Sequence, residues 1–121
     1  MFFMVMSVIF LHIISCMWVI IPQLTNDKAK GVTGTWLEQF EDDNLNVHQI
    51  YVLSLYWTVT TITTVGYGDI DITNSIERIF CAIIMLIGVI SFSYANGSLS
   101  SILTTYDVQN AHLTEKLNIL N

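Results

Sequence analysis

The first 21 residues, MFFMVMSVIFLHIISCMWVII, contain no Lys, Arg, Asp or Glu. As a helix they span about 30 Å, one bilayer hydrocarbon core. A second apolar segment covers about 76–103 and is long enough to cross a bilayer and project beyond it. Lipid offers the backbone no hydrogen-bond partner, so segments like these cross as helices, and the chain reads as an all-α membrane protein. A composition of 53% hydrophobic and 12% charged residues is too apolar for a soluble domain of 121 residues. A secretory signal fits the N-terminal segment poorly, because it lacks a basic start and a small-residue cleavage pattern. Cys16 and Cys81 both fall in the apolar spans and read as small apolar residues, not as a disulfide framework. Asn96-Gly97-Ser98 matches a glycosylation sequon, but its place within the second span makes the match spurious.

Between the spans the pattern changes. Pro22 is expected to end the first helix, since proline cannot continue the hydrogen-bond ladder. A polar loop follows over 23–47, with Gly31 and Gly34, and Trp36, Leu37 and Phe40 suggest either a short helical turn or an interfacial aromatic anchor. Residues 48–62, HQIYVLSLYWTVTTI, read as a helix too short to span, hence re-entrant. Asn74 or Ser75 is a plausible N-cap for the second span, with Glu77 in its first turn. His12 and Cys16 lie on one helix face, where interhelical packing and hydrogen bonding is a better reading than a metal pair. The tail carries Leu113, Leu117 and Leu120 and looks like the start of an amphipathic helix.

The run that follows the short helix is Thr63-Thr64-Val65-Gly66-Tyr67-Gly68-Asp69. It resembles the selectivity filter of potassium channels. Gly-Tyr-Gly-Asp alone would read as a turn, but this run follows a Thr-rich aromatic helix and lies between two apolar spans, the context a filter requires. The resemblance implies that a potassium ion exchanges its water for backbone carbonyls of Thr64, Val65, Gly66 and Tyr67, with Gly68 at the outer end. A strand with all its carbonyls on one side needs backbone angles of alternating hand. Gly66 and Gly68, two apart, supply the unusual ones cheaply. Thr64 adds a hydroxyl below the ladder, and Val65 and Tyr67 are expected to pack behind the strand. Trp57, Thr63 and Asp69 are the expected supports.

The order helix, re-entrant helix, filter, helix is similar to the pore domain of tetrameric potassium channels over nearly the whole chain. It implies a pore domain over 1–104: an outer helix over 1–21, an extracellular turret over 22–47, a pore helix over 48–62, the filter over 63–69 and an inner helix over 75–104. Residues 105–121 would begin a cytoplasmic linker helix. His12-Ile-Ile-Ser-Cys16-Met-Trp18, Ser54-Leu-Tyr-Trp57 with Thr58-Val-Thr-Thr61, and Ala95-Asn96-Gly97 further resemble ether-à-go-go-type channels of the cyclic-nucleotide-binding-domain superfamily. Such channels carry a voltage sensor before the pore and a nucleotide-binding domain after it. This sequence shows no arginines at three-residue spacing and no room for the second domain. The chain is expected to be a fragment of a longer parent with those domains, or else a minimal two-span subunit.

The resemblance implies a homotetramer or heterotetramer in lipid, multi-pass, with the loop outside and both termini cytoplasmic. It would conduct potassium in single file. No nucleophile–base pair sits in a plausible pocket, so no enzyme, no catalytic residue, no cofactor beyond the permeant ion and no nucleic-acid partner are expected. A weakly selective cation channel and a non-conducting channel subunit are the alternatives. Gly88 interrupts the second span, which asks for a bend or a close contact. With a bend, Phe92 and Asn96 would swing as inner-pore gating residues. Between the spans eight acids, Asp27, Glu38, Glu41, Asp42, Asp43, Asp69, Asp71 and Glu77, stand against three bases, Lys28, Lys30 and Arg78, and their net charge of −5 is expected to enrich cations at the outer mouth.

Overall fold

In the computed structural model, which describes residues 2–25 and 34–121, helix α1 covers Phe2–Thr25. A 3-10 helix over Trp36–Asp43, helix α2 over Val47–Ile62 and helix α3 over Ser75–Leu120 follow. The described residues contain no strand. Helices α1 and α3 are long and apolar enough to cross a membrane. Gly31, Asp27, Lys28 and Lys30 of the expected turret lie outside the described residues.

The expectation that Pro22 ends the first helix is corrected: α1 runs on to Thr25 with Pro22 inside it. A proline has no N–H, so the carbonyl four residues back, that of Trp18, loses its helical donor. The indole Nε1 of Trp36 donates to that carbonyl at 3.1 Å. The vacancy Pro22 creates is thus what seats the 3-10 helix on α1. The rings reinforce it. Trp18 stacks on Trp57 at 3.9 Å and on Trp36 at 5.5 Å, each within 7° of parallel, and Phe80 of α3 lies 6.0 Å away. Each such pair contributes about 0.5–1.5 kcal/mol beyond its burial. Trp36 is fully buried, which settles its reading as a helical-turn residue and not an interfacial anchor.

Small hydroxyl residues join α1 to α2. Ser54 Oγ donates to the Ser15 carbonyl at 2.6 Å, and Ser15 Oγ meets Thr58 Oγ1 at 3.2 Å, all three residues fully buried. Small side chains let two backbones approach, and their hydroxyls satisfy each other where water is absent. One helix turn away His12 Nδ1 lies 2.7 Å from the Tyr51 hydroxyl, and its Nε2 lies 3.7 Å from Cys16 Sγ. The His12–Cys16 pair therefore serves the α1–α2 contact, and no group of three metal-ligating side chains occurs among the described residues.

Helix α2 starts at a capping box, with the Asn46 N–H donating to Gln49 Oε1 at 2.8 Å. Helix α3 starts after Asn74, whose Oδ1 accepts the Ile76 N–H at 3.0 Å. It continues through the expected linker without a break, because 105–120 contain neither proline nor glycine. By its contacts the chain forms one unit up to Val89 and a second, Ile90–Asn121, made of helix alone.

Candidate functional site

The segment over 63–69 after α2, here called a strand although it is no β-strand, takes its shape from the helix end. Thr63 caps α2, with its N–H on the Val59 carbonyl at 3.0 Å and its hydroxyl on the same carbonyl at 2.7 Å. The Thr64 N–H reaches the Thr61 carbonyl at 3.2 Å. The N–H groups of Val65 and Gly66 converge on the Thr60 carbonyl at 2.9 and 3.0 Å. The last carbonyls of a helix have no partner within it, and here the strand's amides take them. Among the described residues, no backbone donor reaches the carbonyls of Thr64, Val65, Gly66 or Tyr67.

The backbone angles account for this division. Thr64, Gly66 and Gly68 have φ of 63°, 55° and 72°, while Val65 and Tyr67 between them are not positive. Alternation between the two hands gathers successive N–H groups on one side and leaves the carbonyls to the other. A Cβ built on Gly66 or Gly68 meets nothing within 4 Å, so conformation and not space selects glycine there. Thr64 was not foreseen in this role. A β-branched residue at positive φ is strained, at a cost on the order of 1–2 kcal/mol. Its hydroxyl makes no hydrogen bond among the described residues, whereas that of Thr63 is spent on the helix end.

Around the strand, the supports differ from expectation in detail. Tyr67 stacks on Tyr56 at 6.3 Å and 4°, and the Asp69 carboxylate lies near the Tyr56 hydroxyl. Yet Tyr67 is 70% exposed and Val65 52% exposed. The expectation that both pack behind the strand is not met within one chain, because a single short helix covers only one flank. Trp57 supports the strand indirectly. It fixes α2 against Trp18, and its carbonyl accepts the hydroxyls of Thr60 and Thr61 at 2.9 and 2.8 Å.

Beyond Asp69 the chain is strapped to the 3-10 helix. The side-chain amide of Gln39 pairs with both backbone groups of Asp71, accepting its N–H at 3.1 Å and donating to its carbonyl. Arg78 Nε donates to the Ile72 carbonyl at 3.1 Å. Glu77 is fully buried, and its two carboxylate oxygens share the Trp36 N–H at 3.3 and 3.2 Å. Its place among the acids of the mouth is therefore corrected. It is an internal tie between α3 and the 3-10 helix, and one charge fewer faces outward. Glu41, Asp42 and Asp43 are exposed on the 3-10 helix.

Gly88 lies against the end of α2. A Cβ there would stand 3.1 Å from the Ile62 Cα and 3.6 Å from its carbonyl oxygen. Ile84, one turn earlier on the same face, packs with Ile62 and Ile14. Phe92 and Asn96 belong to the second unit and are exposed in the single chain, as are Tyr94 and Leu99 beside them. Within the first unit the structure thus gathers Trp57 and 63–69 with Gly88.

A family model described as an ion channel matches residues 29–105. Potassium channel AKT1 of Arabidopsis thaliana is 33% identical over 91 residues, which are 75% of this chain and 10% of that protein. Putative potassium channel KAT5 of Oryza sativa subsp. japonica is 34% identical over 94 residues, 76% of this chain and 24% of the relative. Potassium channel AKT2/3 of Arabidopsis thaliana is 31% identical over 91 residues. The chain therefore spans between a tenth and a quarter of the length of these relatives.

Proposed function

The chain belongs to the ion channel family, and from that membership we propose that it forms the potassium-conducting pore segment of a tetrameric membrane channel. The observation that carries the reading is the strand over 63–69, with alternating backbone hand, the amides of Thr63, Thr64, Val65 and Gly66 committed to α2, and the carbonyls of Thr64, Val65, Gly66 and Tyr67 left free of backbone donors among the described residues. One chain offers one column of carbonyls, and four around an axis complete the ring that replaces an ion's hydration shell. Thr64, Val65, Gly66 and Tyr67 line the column in single file, and each site binds weakly enough to pass the ion on. The C-terminal end of α2 directs its negative dipole to the inner side of the column. The exposed flanks of Val65 and Tyr67 are covered by neighbouring subunits. The relatives named as potassium channels support this choice of ion. The polar loop faces outward and both ends of the chain face the cytoplasm.

Reversal potentials in bilayers of defined ionic composition test the reading. A value near the potassium potential supports it. An intermediate value shows a weakly selective cation pore, and absence of current from an assembled chain shows a non-conducting subunit.

Two further outcomes follow from the same geometry. Thr64→Val removes the free hydroxyl and keeps the branched shape. It should weaken block by internal barium several-fold with potassium selectivity kept, while Thr64→Ser should retain the block. Unaltered block in Thr64→Val shows that this hydroxyl does not line the innermost site. Glu41, Asp42 and Asp43 stand on a helix tied to the strand's exit by Gln39 and Asp71. Neutralising all three should lower unit conductance by about twofold at low ionic strength and little at high salt, because screening removes the cation enrichment. A salt-independent effect places these acids too far from the ion path.

A further inference from the structure

The inner half of the strand is bonded to α2, and past Gly66 those bonds stop. Among the described residues, no backbone–backbone hydrogen bond holds Tyr67, Gly68, Asp69 or Ile70. The Ile70 side chain is buried with Trp18, Trp36 and Trp57, which fixes where the chain passes but not how its peptides turn. The next bonded backbone is that of Asp71, and one side chain takes both of its groups. The Asp71 N–H donates to Gln39 Oε1 at 3.1 Å, and the Asp71 carbonyl accepts from Gln39 Nε2. Two bonds from one planar group fix rotation as well as position. A carboxamide carries its donor and acceptor side by side, as does a protonated carboxyl; a carboxylate only accepts. The base of this clamp is rigid. Residues three apart in a 3-10 helix lie above one another, so Gln39 stands over Trp36. Trp36 is fully buried, with its indole on the Trp18 carbonyl and its N–H on the Glu77 carboxylate.

We infer that Gln39 is a positioning residue for the ion path: clamped to Asp71, it keeps the outer carbonyls of the strand, those of Gly66 and Tyr67, aligned while no ion lies between them. The role rests on the pore proposed above. Carbonyl oxygens gathered round an axis repel one another, and an ion among them offsets that repulsion. When the outer sites empty, the inner half is still held through the Thr60 carbonyl. The outer half has no such tie. Gly68, with a φ of 72° and nothing within 4 Å of an added Cβ, offers rotation no resistance. The nearest backbone bonds beyond it are those of Asp71 to Gln39, so the clamp limits how far the outer peptides turn.

The test follows potassium current from the full chain in bilayers over time, at low and at high external potassium. Gln39→Met keeps the length of the side chain and removes both bonds. Its current should decay roughly tenfold faster than that of the unmodified chain at low external potassium. The difference should shrink at high external potassium, where ions fill the outer sites. Gln39→Glu separates the clamp from packing. Ionised, the new carboxylate accepts the Asp71 N–H but sets a second acceptor against the Asp71 carbonyl. Protonated, it donates there and restores the clamp. Decay in this variant should match Gln39→Met at neutral external pH and slow toward the unmodified rate as pH falls through the usual glutamate range, about 4.3. The other titratable groups on the surrounding elements are Glu38, Asp42 and Asp43 on the 3-10 helix, Asp69 and Asp71 after the strand, His48 on α2, and Glu77 on α3 beside the cationic Arg78. All are present in the unmodified chain, so the rescue is read as the ratio of the two rates at each pH. Equal decay in all three chains, a difference independent of external potassium, or a Gln39→Glu chain that acid does not rescue overturns the role. The pore reading fails distinguishably. An unmodified chain that passes no potassium sinks both, whereas potassium-selective current that persists alike in all three chains sinks the role of Gln39 alone.

Discussion

Replacing Gly66 with alanine should abolish potassium current while leaving the chain inserted and assembled. Gly66 has a φ of 55°, and a Cβ added there meets nothing within 4 Å. Steric room is therefore not the obstacle. The penalty is the left-handed conformation itself, about 1–2 kcal/mol for an L side chain. A tetramer incurs it four times on one ring, about 4–8 kcal/mol if the sites are independent. The strand escapes by turning φ negative, and that change swings the neighbouring carbonyl out of its column. The Gly66 N–H also leaves the Thr60 carbonyl, so the strand loses its tie to α2. Flux assays and reversal potentials on reconstituted protein measure the loss. Potassium-selective conduction at the unmodified level in Gly66→Ala would remove the assignment of 63–69 as the ion path.

The two spans, the short helix and the glycine alternation were legible in the sequence because each rests on a local rule. A stretch without charge, a length below a bilayer's thickness and glycines two apart all act within a few residues. What escaped was set by partners distant in the chain. Pro22 obeys its rule in freeing a carbonyl, but the helix survives because the indole of Trp36 takes that carbonyl. Nothing near Pro22 announces this. Glu77 reads as a first-turn acid bound for solvent, since charges are seldom buried. It is buried because the Trp36 N–H, held by the ring stack, comes to its carboxylate. Thr64 carries a positive φ that no propensity assigns to a β-branched residue, and only the demand of Gly66 and Val65 on the Thr60 carbonyl explains it. Thr60 itself carried no signal, because its contribution is a backbone oxygen. The exposure of Val65 and Tyr67 has a different origin: their cover is proposed to come from other subunits, which one sequence does not contain.

Substituting Gly88 with alanine should weaken the assembled channel, through packing more than through bending. Helix interiors avoid glycine at a cost near 1 kcal/mol, so alanine would ordinarily stabilise this helix. Here the added Cβ would stand 3.1 Å from the Cα of Ile62. That neighbour is backbone, at the last residue of α2 and directly before the strand of free carbonyls. A flexible side chain could step aside cheaply, but this backbone is tied by the Thr63 and Thr64 amides just beyond it. Overpacking of this kind costs about 1–3 kcal/mol, enough to outweigh the gain in helix propensity. The expected result is a lower dissociation temperature of the tetramer in detergent, with unit conductance also reduced because the displaced helix end carries the strand. Gly88→Val should be more severe, since two further methyl groups meet the same surface. The bending account predicts otherwise: an assembled channel of normal stability and normal unit conductance with only its open probability changed. Normal stability in both variants would show that the end of α2 yields, and the close contact would then not be the reason for glycine at this position.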